Sequence, residues 1–216
     1  MTASLDQAIL ALANFQGASL TRSLSAIERG IIGCDAGRMR RFCADRGINQ
    51  SLMASARAIE MVAGQINVVI HAAGILQSLP SILEPDEVVE STSLGAGNTG
   101  RKFDLETNLR IAEYKFIDWQ GGSETIRQNG LFKDFFELAE YPTQKKKFLY
   151  VVGTEMPLKF FRGGRALGSV LSRQPAILAR LQASYGSKIR VVRDYYELKE
   201  DEVRIFDVSP CLHASA

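Results

Sequence analysis

The spacing of apolar residues along this sequence changes once, near residue 85, and that change limits the folds that the chain can adopt. Apolar residues recur at helical spacing from residue 4 to residue 82. Beyond that point, short segments rich in β-branched and aromatic residues alternate with helical stretches. This order predicts an α/β protein with a helical N-terminal extension.

The helical half divides into short helices followed by one long helix. Glycines interrupt residues 30–47, whereas residues 51–76 carry a wide apolar stripe. Such a stripe usually packs against a core or a partner protein. We therefore expect a helical N-terminal extension over residues 1–50 and an α/β domain over residues 51–216. One hypothesis makes the N-terminal helices the interface of a homodimer.

The longest apolar stretch, residues 61–76, contains Gln65, Asn67 and His71. It is shorter and more polar than a membrane span, which needs about 20 predominantly apolar residues. The N-terminus shows no charged start followed by an apolar run, as a secretory signal would. The three cysteines form no CxxC pair and therefore predict free thiols. We expect a cytoplasmic chain that has no membrane partner.

The second half predicts three strands, a helix, a strand, a helix and a C-terminal hairpin. The predicted strands cover residues 88–94, 102–106, 110–116, 147–152, 189–192 and 203–208, and the predicted helices cover residues 123–140 and 175–185. Pro142 prevents the first helix from continuing, and Gly186 ends the second. The last two strands are expected to pair as the hairpin.

The hairpin formed by the second and third strands carries the residues that suggest chemistry. Because side chains alternate along a strand, Glu113 and Lys115 share one face. With a two-residue turn at Thr107 and Asn108, Asp104 lies on the same face as a diagonal neighbour of Glu113. A turn that is longer or shorter by one residue moves Asp104 to the opposite face.

Two converging carboxylates beside an ammonium group suit a hard divalent cation. Mg²⁺ prefers oxygen ligands and completes its shell with water and substrate phosphate. In such a site the cation activates water, and Lys115 stabilises the charge of the phosphoryl transition state. The alternative is an exposed cluster of weak surface ion pairs, and the spacing alone does not decide between the two.

The pattern of Asp104 followed by Glu113-Tyr114-Lys115 resembles the PD-(D/E)XK nuclease superfamily. The resemblance implies a restriction-endonuclease-like α/β core, in which a helix, three strands, a helix and a strand follow in order. Phe103 stands where the superfamily motif has proline. The similarity covers about residues 55–155.

Two further motifs resemble the RecB-like branch of that superfamily. Gly100 and Asp104 fit its GxxxD motif. Gln128-Asn129-Gly130-Leu131-Phe132 fits its QxxxY motif, with Phe132 in place of tyrosine. This substitution keeps the aromatic ring and removes the hydroxyl. On the predicted helix Gln128 lies near the N-terminus on the inward face, at helical spacing from Phe132.

The resemblance implies a Mg²⁺- or Mn²⁺-dependent nuclease that hydrolyses DNA phosphodiester bonds with metal-activated water; RNA stays open as a substrate. It implies that Asp104, Glu113 and the backbone carbonyl of Tyr114 hold the metal. Lys115 would assist the water, and Gln128 would orient the substrate or neighbouring groups. The alternative is a non-catalytic nucleic-acid-binding or assembly protein that keeps the same fold.

Members of this superfamily often carry a further ligand on the first core helix. Glu60 is our choice, and His71 on the same helix and Glu90 on the first strand compete with it. Glu60 and His71 are eleven residues apart, or about three helical turns, so they cannot both face one metal.

Basic residues cluster near the proposed site and predict contacts with nucleic-acid phosphates. Those nearest the site are Arg101, Lys102, Arg110, Arg127 and Lys133, and two more clusters cover residues 145–147 and 159–165. The second of these clusters includes Phe160 and Phe161, whose rings suit either base stacking or a hydrophobic core.

Overall fold

The computed structural model describes residues 4–95, 100–116, 119 and 125–212. It confirms the α/β class: a five-stranded mixed sheet is accompanied, in these ranges, by ten α-helices. The helices are α1 (Leu5–Gln16), α2 (Leu20–Ile31), α3 (Ala36–Asp45), α4 (Gln50–Ile82), α5 (Thr125–Ala139), α6 (Glu155–Phe161), α7 (Leu167–Val170), α8 (Pro175–Tyr185), α9 (Val192–Lys199) and α10 (Ser209–Leu212). The strands are β1 (Val89–Thr92), β2 (Leu105–Thr107), β3 (Arg110–Lys115), β4 (Lys146–Val151) and β5 (Val203–Asp207).

The chain divides into two compact units, Met1–Asn67 and Val68–Ala216. The division falls inside α4, so the helix expected to open the α/β domain belongs to both units. In the first unit the helices start at polar caps, because the side chains of Ser4, Ser19 and Asp35 accept hydrogen bonds from backbone N–H groups in the first turn.

The helix α4 is 33 residues long and contains Pro80. Every residue from 61 to 70 is exposed. An 18-residue window of the helix has a mean hydropathy of 1.5, and 11% of that window is buried. By length and composition α4 meets the requirement for a membrane span. The short length of residues 61–76 therefore no longer argues against a span, and the cytoplasmic location stays a prediction.

The sheet has the order β1-β2-β3-β4-β5. The first two pairings are antiparallel, and β4 pairs in parallel with both β3 and β5. Parallel strands are usually covered on both faces and therefore read as nearly continuous apolar runs. The sequence Phe148-Leu149-Tyr150-Val151 in β4 has this character, and all four residues are buried.

Alternation along the strands creates two cores, one on each face of the sheet. Ile111 and Leu149 belong to the core formed with α5, whose aromatic residues Phe132, Phe135 and Phe136 are almost fully buried. The opposite face forms a second core, whose members are Ile75, Leu105, Ala112, Tyr114, Phe148, Tyr150 and Val208. As a result, Glu113 and Lys115 lie on the face that α5 covers.

The hairpin of β2 and β3 has a different turn from the one expected. Its paired residues are Leu105 with Ala112 and Glu106 with Ile111. The turn therefore lies at residues 108–109 instead of 107–108. The hydroxyl of Thr107 accepts hydrogen bonds from the two backbone N–H groups of residues 109 and 110, which fixes this turn. The register therefore differs from the expected one by two residues. Because side chains alternate along a strand, Asp104 stays on the same face of the sheet as Glu113.

The predicted C-terminal hairpin is wrong. The segment 203–208 does contain a strand, β5, but this strand pairs in parallel with β4. Residues 189–192 lead into α9 instead of forming a strand. Val192, Tyr195 and Tyr196 are buried at helical spacing, so a helix places them in the core together, whereas alternation would separate them.

Candidate active site

Asp104 lies immediately before β2, where several polar groups contact its carboxylate. Its Oδ2 atom accepts a hydrogen bond of 3.0 Å from the backbone N–H of Tyr114. Its Oδ1 atom lies 3.2 Å from Nε2 of His71. The carboxyl group of Glu113 is also in hydrogen-bonding contact with it. Burial acts to raise the pKa of Asp104, but the hydrogen bonds from His71 and Tyr114 outweigh burial and lower it.

His71 reaches Asp104 from α4. Its Nε2 atom lies 3.3 Å from the carbonyl oxygen of Ser93 as well as close to Asp104. Since both neighbours are acceptors, Nε2 carries a hydrogen and donates it. The hydrogen bond to Asp104 raises the pKa of His71. Gly74 leaves room beside this ring for Phe116, because a Cβ atom at residue 74 would lie 2.5 Å from the Phe116 ring.

Glu113 lies on β3 and points toward α5. Burial, followed by the negative charges of Asp134 and Asp104, raises the pKa of Glu113 to about 9. Glu113 is therefore protonated at neutral pH, and its proton joins the two carboxyl groups in one hydrogen bond. Two carboxyl groups that share a proton can instead share a metal cation, which then takes the place of that proton.

Lys115 forms an ion pair with Asp134 of α5. Burial acts to lower the pKa of Lys115, but the charge of Asp134 outweighs it and raises the pKa. The Asp134 side chain is only 7% exposed, so its position is fixed by the surrounding core. Sequence analysis missed Asp134, although an acidic residue between the buried Phe132 and Phe135 was a usable signal.

The first turns of α5 bring two amide side chains to the same region. Both the Oε1 atom of Gln128 and the Oδ1 atom of Asn129 are buried and have no hydrogen-bond partner in the described part of the chain. Buried polar atoms nearly always have a partner in native proteins. Gln128 is half-buried, and Phe132, one helical turn later, belongs to the core. Both lie on the inward face of α5, as predicted.

Among the three residues considered for a further metal ligand, His71 is the one that contacts Asp104. Glu60 is exposed and belongs to the unit Met1–Asn67. Glu90 is exposed and forms an ion pair of 2.7 Å with Lys145. His71 therefore replaces Glu60 as our choice for this position.

The four basic residues predicted to contact phosphates lie near Asp104 or on α5. Arg101 and Lys102 are exposed near Asp104; the Arg101 guanidinium donates to the carbonyl of Thr92 at 2.5 Å. On α5, Arg127 and Lys133 are half-buried, and the ammonium of Lys133 lies 3.6 Å from Asp134. Contacts between these four basic residues and phosphates stay a prediction.

Other basic residues are committed to structural contacts. Arg110 is buried, and its guanidinium pairs with Glu87, so it is not available for a phosphate. The lysine run at 145–147 is also engaged: Lys145 pairs with Glu90 and Glu106, Lys146 with Glu84, and Lys147 donates to the carbonyl of Ala139. Phe161 is fully buried and belongs to the core.

The donor set fits a hard divalent cation. Asp104 and Glu113 offer carboxylate oxygens in direct contact, whereas Nε2 of His71 donates its hydrogen to Asp104. Across the described ranges, no three His, Cys, Asp or Glu side chains form a ready metal-binding group. Mg²⁺ is commonly held by one or two carboxylates together with water and substrate phosphate, so two adjoining carboxyl groups meet its requirements.

The chain was compared with protein-family models, with curated proteins and with solved structures. No family model matches it, and no significant match was found among the curated proteins or the solved structures. The resemblance to PD-(D/E)XK nucleases therefore depends on the motifs and the geometry described above.

Proposed function

We propose that this protein is a divalent-metal-dependent nuclease of the PD-(D/E)XK type that hydrolyses phosphodiester bonds in DNA. The observation that supports the proposal most strongly is the contact between the carboxyl groups of Asp104 and Glu113, with the ammonium of Lys115 on the same strand as Glu113. Two carboxyl groups that share a partly buried position are electrostatically costly unless a proton or a cation joins them. Positions with such perturbed groups are common in active sites.

Asp104, Glu113 and the backbone carbonyl of Tyr114 would hold Mg²⁺ or Mn²⁺, and His71 would be the further ligand once Nε2 has lost its hydrogen. When bound, such a cation supplies a water of lowered pKa and polarises the phosphoryl oxygen. Glu113 would give up its proton as the cation site fills. Asp104 keeps its orientation through the backbone N–H of Tyr114, which donates to it at 3.0 Å.

Lys115 would stabilise the negative charge that develops on the phosphoryl group. Its ammonium is held on one side by Asp134, so it does not have to be ordered when the substrate binds. Gln128 would orient the substrate or the groups around it, as its half-buried place at the start of α5 allows.

A cleavage assay with single-stranded and double-stranded DNA in Mg²⁺ or Mn²⁺ tests the proposal. We expect cleavage by the unmodified chain and a loss of about 100- to 1,000-fold in Glu113→Gln, which is the loss caused by removing a main transition-state contact. Glu106→Gln is the matched control, because Glu106 lies on the same hairpin and pairs with Lys145. DNA binding without cleavage under both metals would instead favour the non-catalytic binding or assembly protein.

A further inference from the structure

A cavity of about 400 Å³ lies beside the candidate active site. Its lining includes Trp119, Gln128, Met156, Lys159, Phe160 and Arg165. Its volume is within the range of about 300–1,000 Å³ that is usual for small-ligand pockets. Of these lining residues, the nuclease proposal assigns a role only to Gln128, which lies on α5.

Trp119 is shared between this cavity and a pocket lined by the catalytic lysine. A smaller pocket beside it is lined by Lys115, Trp119 and Arg127, among others. Trp119 therefore lies next to both the catalytic lysine and the larger cavity. The part of a DNA strand that lies next to the scissile phosphate is a nucleoside.

Aromatic rings form part of the cavity wall. The ring centroids of Trp119 and Phe160 are 6.1 Å apart, with an angle of 50° between their planes. Phe160 is fixed by the core and is 7% exposed, whereas Trp119 packs against that core and is only partly buried. A partly exposed indole beside a cavity suits stacking with a base, which any nucleobase can provide.

Two polar side chains of the wall have unused hydrogen-bonding atoms. The indole Nε1 of Trp119 is a donor, and the Oε1 of Gln128 is an acceptor; both are buried and have no hydrogen-bond partner within the described ranges. A ligand that carries an acceptor and a donor on one edge would satisfy both atoms when side-chain rotation turns them into the cavity. The edges of nucleobases carry this combination.

Two residues of the lining carry positive charge. Lys159, in the last turn of α6, is exposed, and Arg165 lies on the loop that follows this helix. Cationic side chains that line an aromatic cavity suit a ligand with a phosphate backbone. The cavity therefore combines an aromatic surface for stacking, polar side chains for a base edge, and positive side chains for a phosphate backbone.

We infer that this cavity binds the base of an unpaired DNA nucleotide next to the scissile phosphate, so that single-stranded DNA is the substrate. The inference depends on the proposed nuclease function and specifies its substrate class. In a duplex the base is covered by its stacked neighbours and its pairing edge is occupied, so the cavity excludes it unless the strand opens.

The fluorescence of Trp119 provides a direct test, because Trp119 is the single tryptophan of the chain. The full chain with Glu113→Gln is titrated with single-stranded DNA, with the duplex of the same sequence and with a single strand of abasic nucleotides. We expect saturable quenching by the first, and affinities lower by about tenfold or more for the other two, in keeping with the loss of base stacking.

Variants of the wall provide the second measurement. Gln128→Ala and Lys159→Ala should each weaken single-strand binding by about five- to tenfold. Lys188→Ala, which removes an exposed lysine after α8, is the matched control and should bind as the parent does. Unchanged binding in both wall variants, or equal quenching by duplex and abasic DNA, would overturn the inference.

The titration separates this inference from the nuclease proposal. One result is quenching that depends on the base while the unmodified chain never cleaves DNA. That result would contradict the nuclease proposal and support base binding in the cavity. If the unmodified chain cleaves DNA with metal but quenching does not depend on the base, the nuclease proposal is supported and base binding in the cavity is overturned.

Discussion

The ammonium of Lys115, on the third strand, forms an ion pair with the carboxylate of Asp134 on the following helix. Asp134→Asn should leave Lys115 without its charged partner and reduce the rate of DNA cleavage by about 10- to 100-fold, as is usual when a positioning partner is lost. The reduction should appear in kcat with little change in KM, because Lys115 acts on the transition state. Steady-state cleavage assays check this.

The control for that variant is Glu137→Gln, a second carboxylate of the same helix, which pairs with Arg180 at 2.7 Å. It should cleave DNA at the parent rate, and both variants should unfold at similar urea concentrations. Equal rate losses in the two variants would mean that Asp134 acts through the stability of α5 alone.

Metal binding should release a proton from Glu113. The pKa of Glu113 is raised to about 9, first by burial and then by the charges of Asp134 and Asp104, so this carboxyl is protonated at pH 7. Because the cation requires the ionised form, affinity for Mn²⁺ should increase by about tenfold per pH unit between pH 6 and 8. Calorimetry in buffers of different ionisation enthalpy counts the protons, and pH-independent affinity would contradict the assignment.

His71 should contribute to metal affinity through its contact with Asp104 at 3.2 Å. His71→Ala should weaken Mn²⁺ binding by about tenfold or more, and Glu60→Ala should leave it unchanged. Since the pKa of His71 is raised by Asp104, deprotonation of the ring should also contribute to the pH dependence of binding. The measurement is a calorimetric titration at pH 6 and pH 8.

Without metal, Glu113→Gln should stabilise the fold at alkaline pH. The folded-state pKa of about 9 exceeds the ordinary value of 4.5, so the stability that this group contributes is complete below pH 4.5 and is lost as pH rises toward 9. Glutamine has no proton to lose, and the variant should gain several degrees in Tm at pH 8, since 1 kcal/mol corresponds to about 2–4 °C for a chain of this size.

Thermal unfolding at pH 4 and pH 8 in the presence of a chelator measures the effect, and Glu106→Gln serves again as the control. A Tm difference between Glu113→Gln and the parent that does not grow with pH would contradict the raised pKa. The substitution Glu113→Gln should therefore remove activity and increase stability.

The buried pair of Arg110 and Glu87 should contribute to stability and not to DNA binding. Glu87 pairs with the guanidinium and also accepts a hydrogen bond of 2.5 Å from the Thr107 hydroxyl, and Arg110 donates to the hydroxyl of Tyr150 at 2.7 Å. Glu87→Ala leaves the buried guanidinium without its carboxylate and should cost about 3–5 kcal/mol in urea unfolding. Lys145→Ala, which breaks surface pairs, should cost less than about 1 kcal/mol.

The central part of the site was accessible to sequence analysis because it depends on a local rule. Glu113 and Lys115 share a face through strand alternation, whatever the rest of the fold does. The predicted turn was wrong, yet the register moved by two residues and preserved the parity of Asp104. Had the shift been one residue, the same sequence would have separated the carboxyl groups.

The partners of these residues depend on tertiary packing and were harder to predict. Asp134 reaches Lys115 because α5 lies across one face of the sheet, and His71 reaches Asp104 because the C-terminal part of α4 contributes to the core on the other face. The wrong C-terminal hairpin has a related cause. Ile189, Val191 and Val192 are β-branched and apolar, but the burial of Tyr195 and Tyr196 selects the helix that begins at Val192.

The most direct test of the account is a crystal structure of the protein with Mn²⁺, located by its anomalous scattering. The account predicts one peak between the carboxylates of Asp104 and Glu113, with metal–oxygen distances of about 2.0–2.2 Å, and Lys115 still paired with Asp134. If Asp104 and Glu113 keep their direct contact while Mn²⁺ binds elsewhere or not at all, the proposed metal site is contradicted.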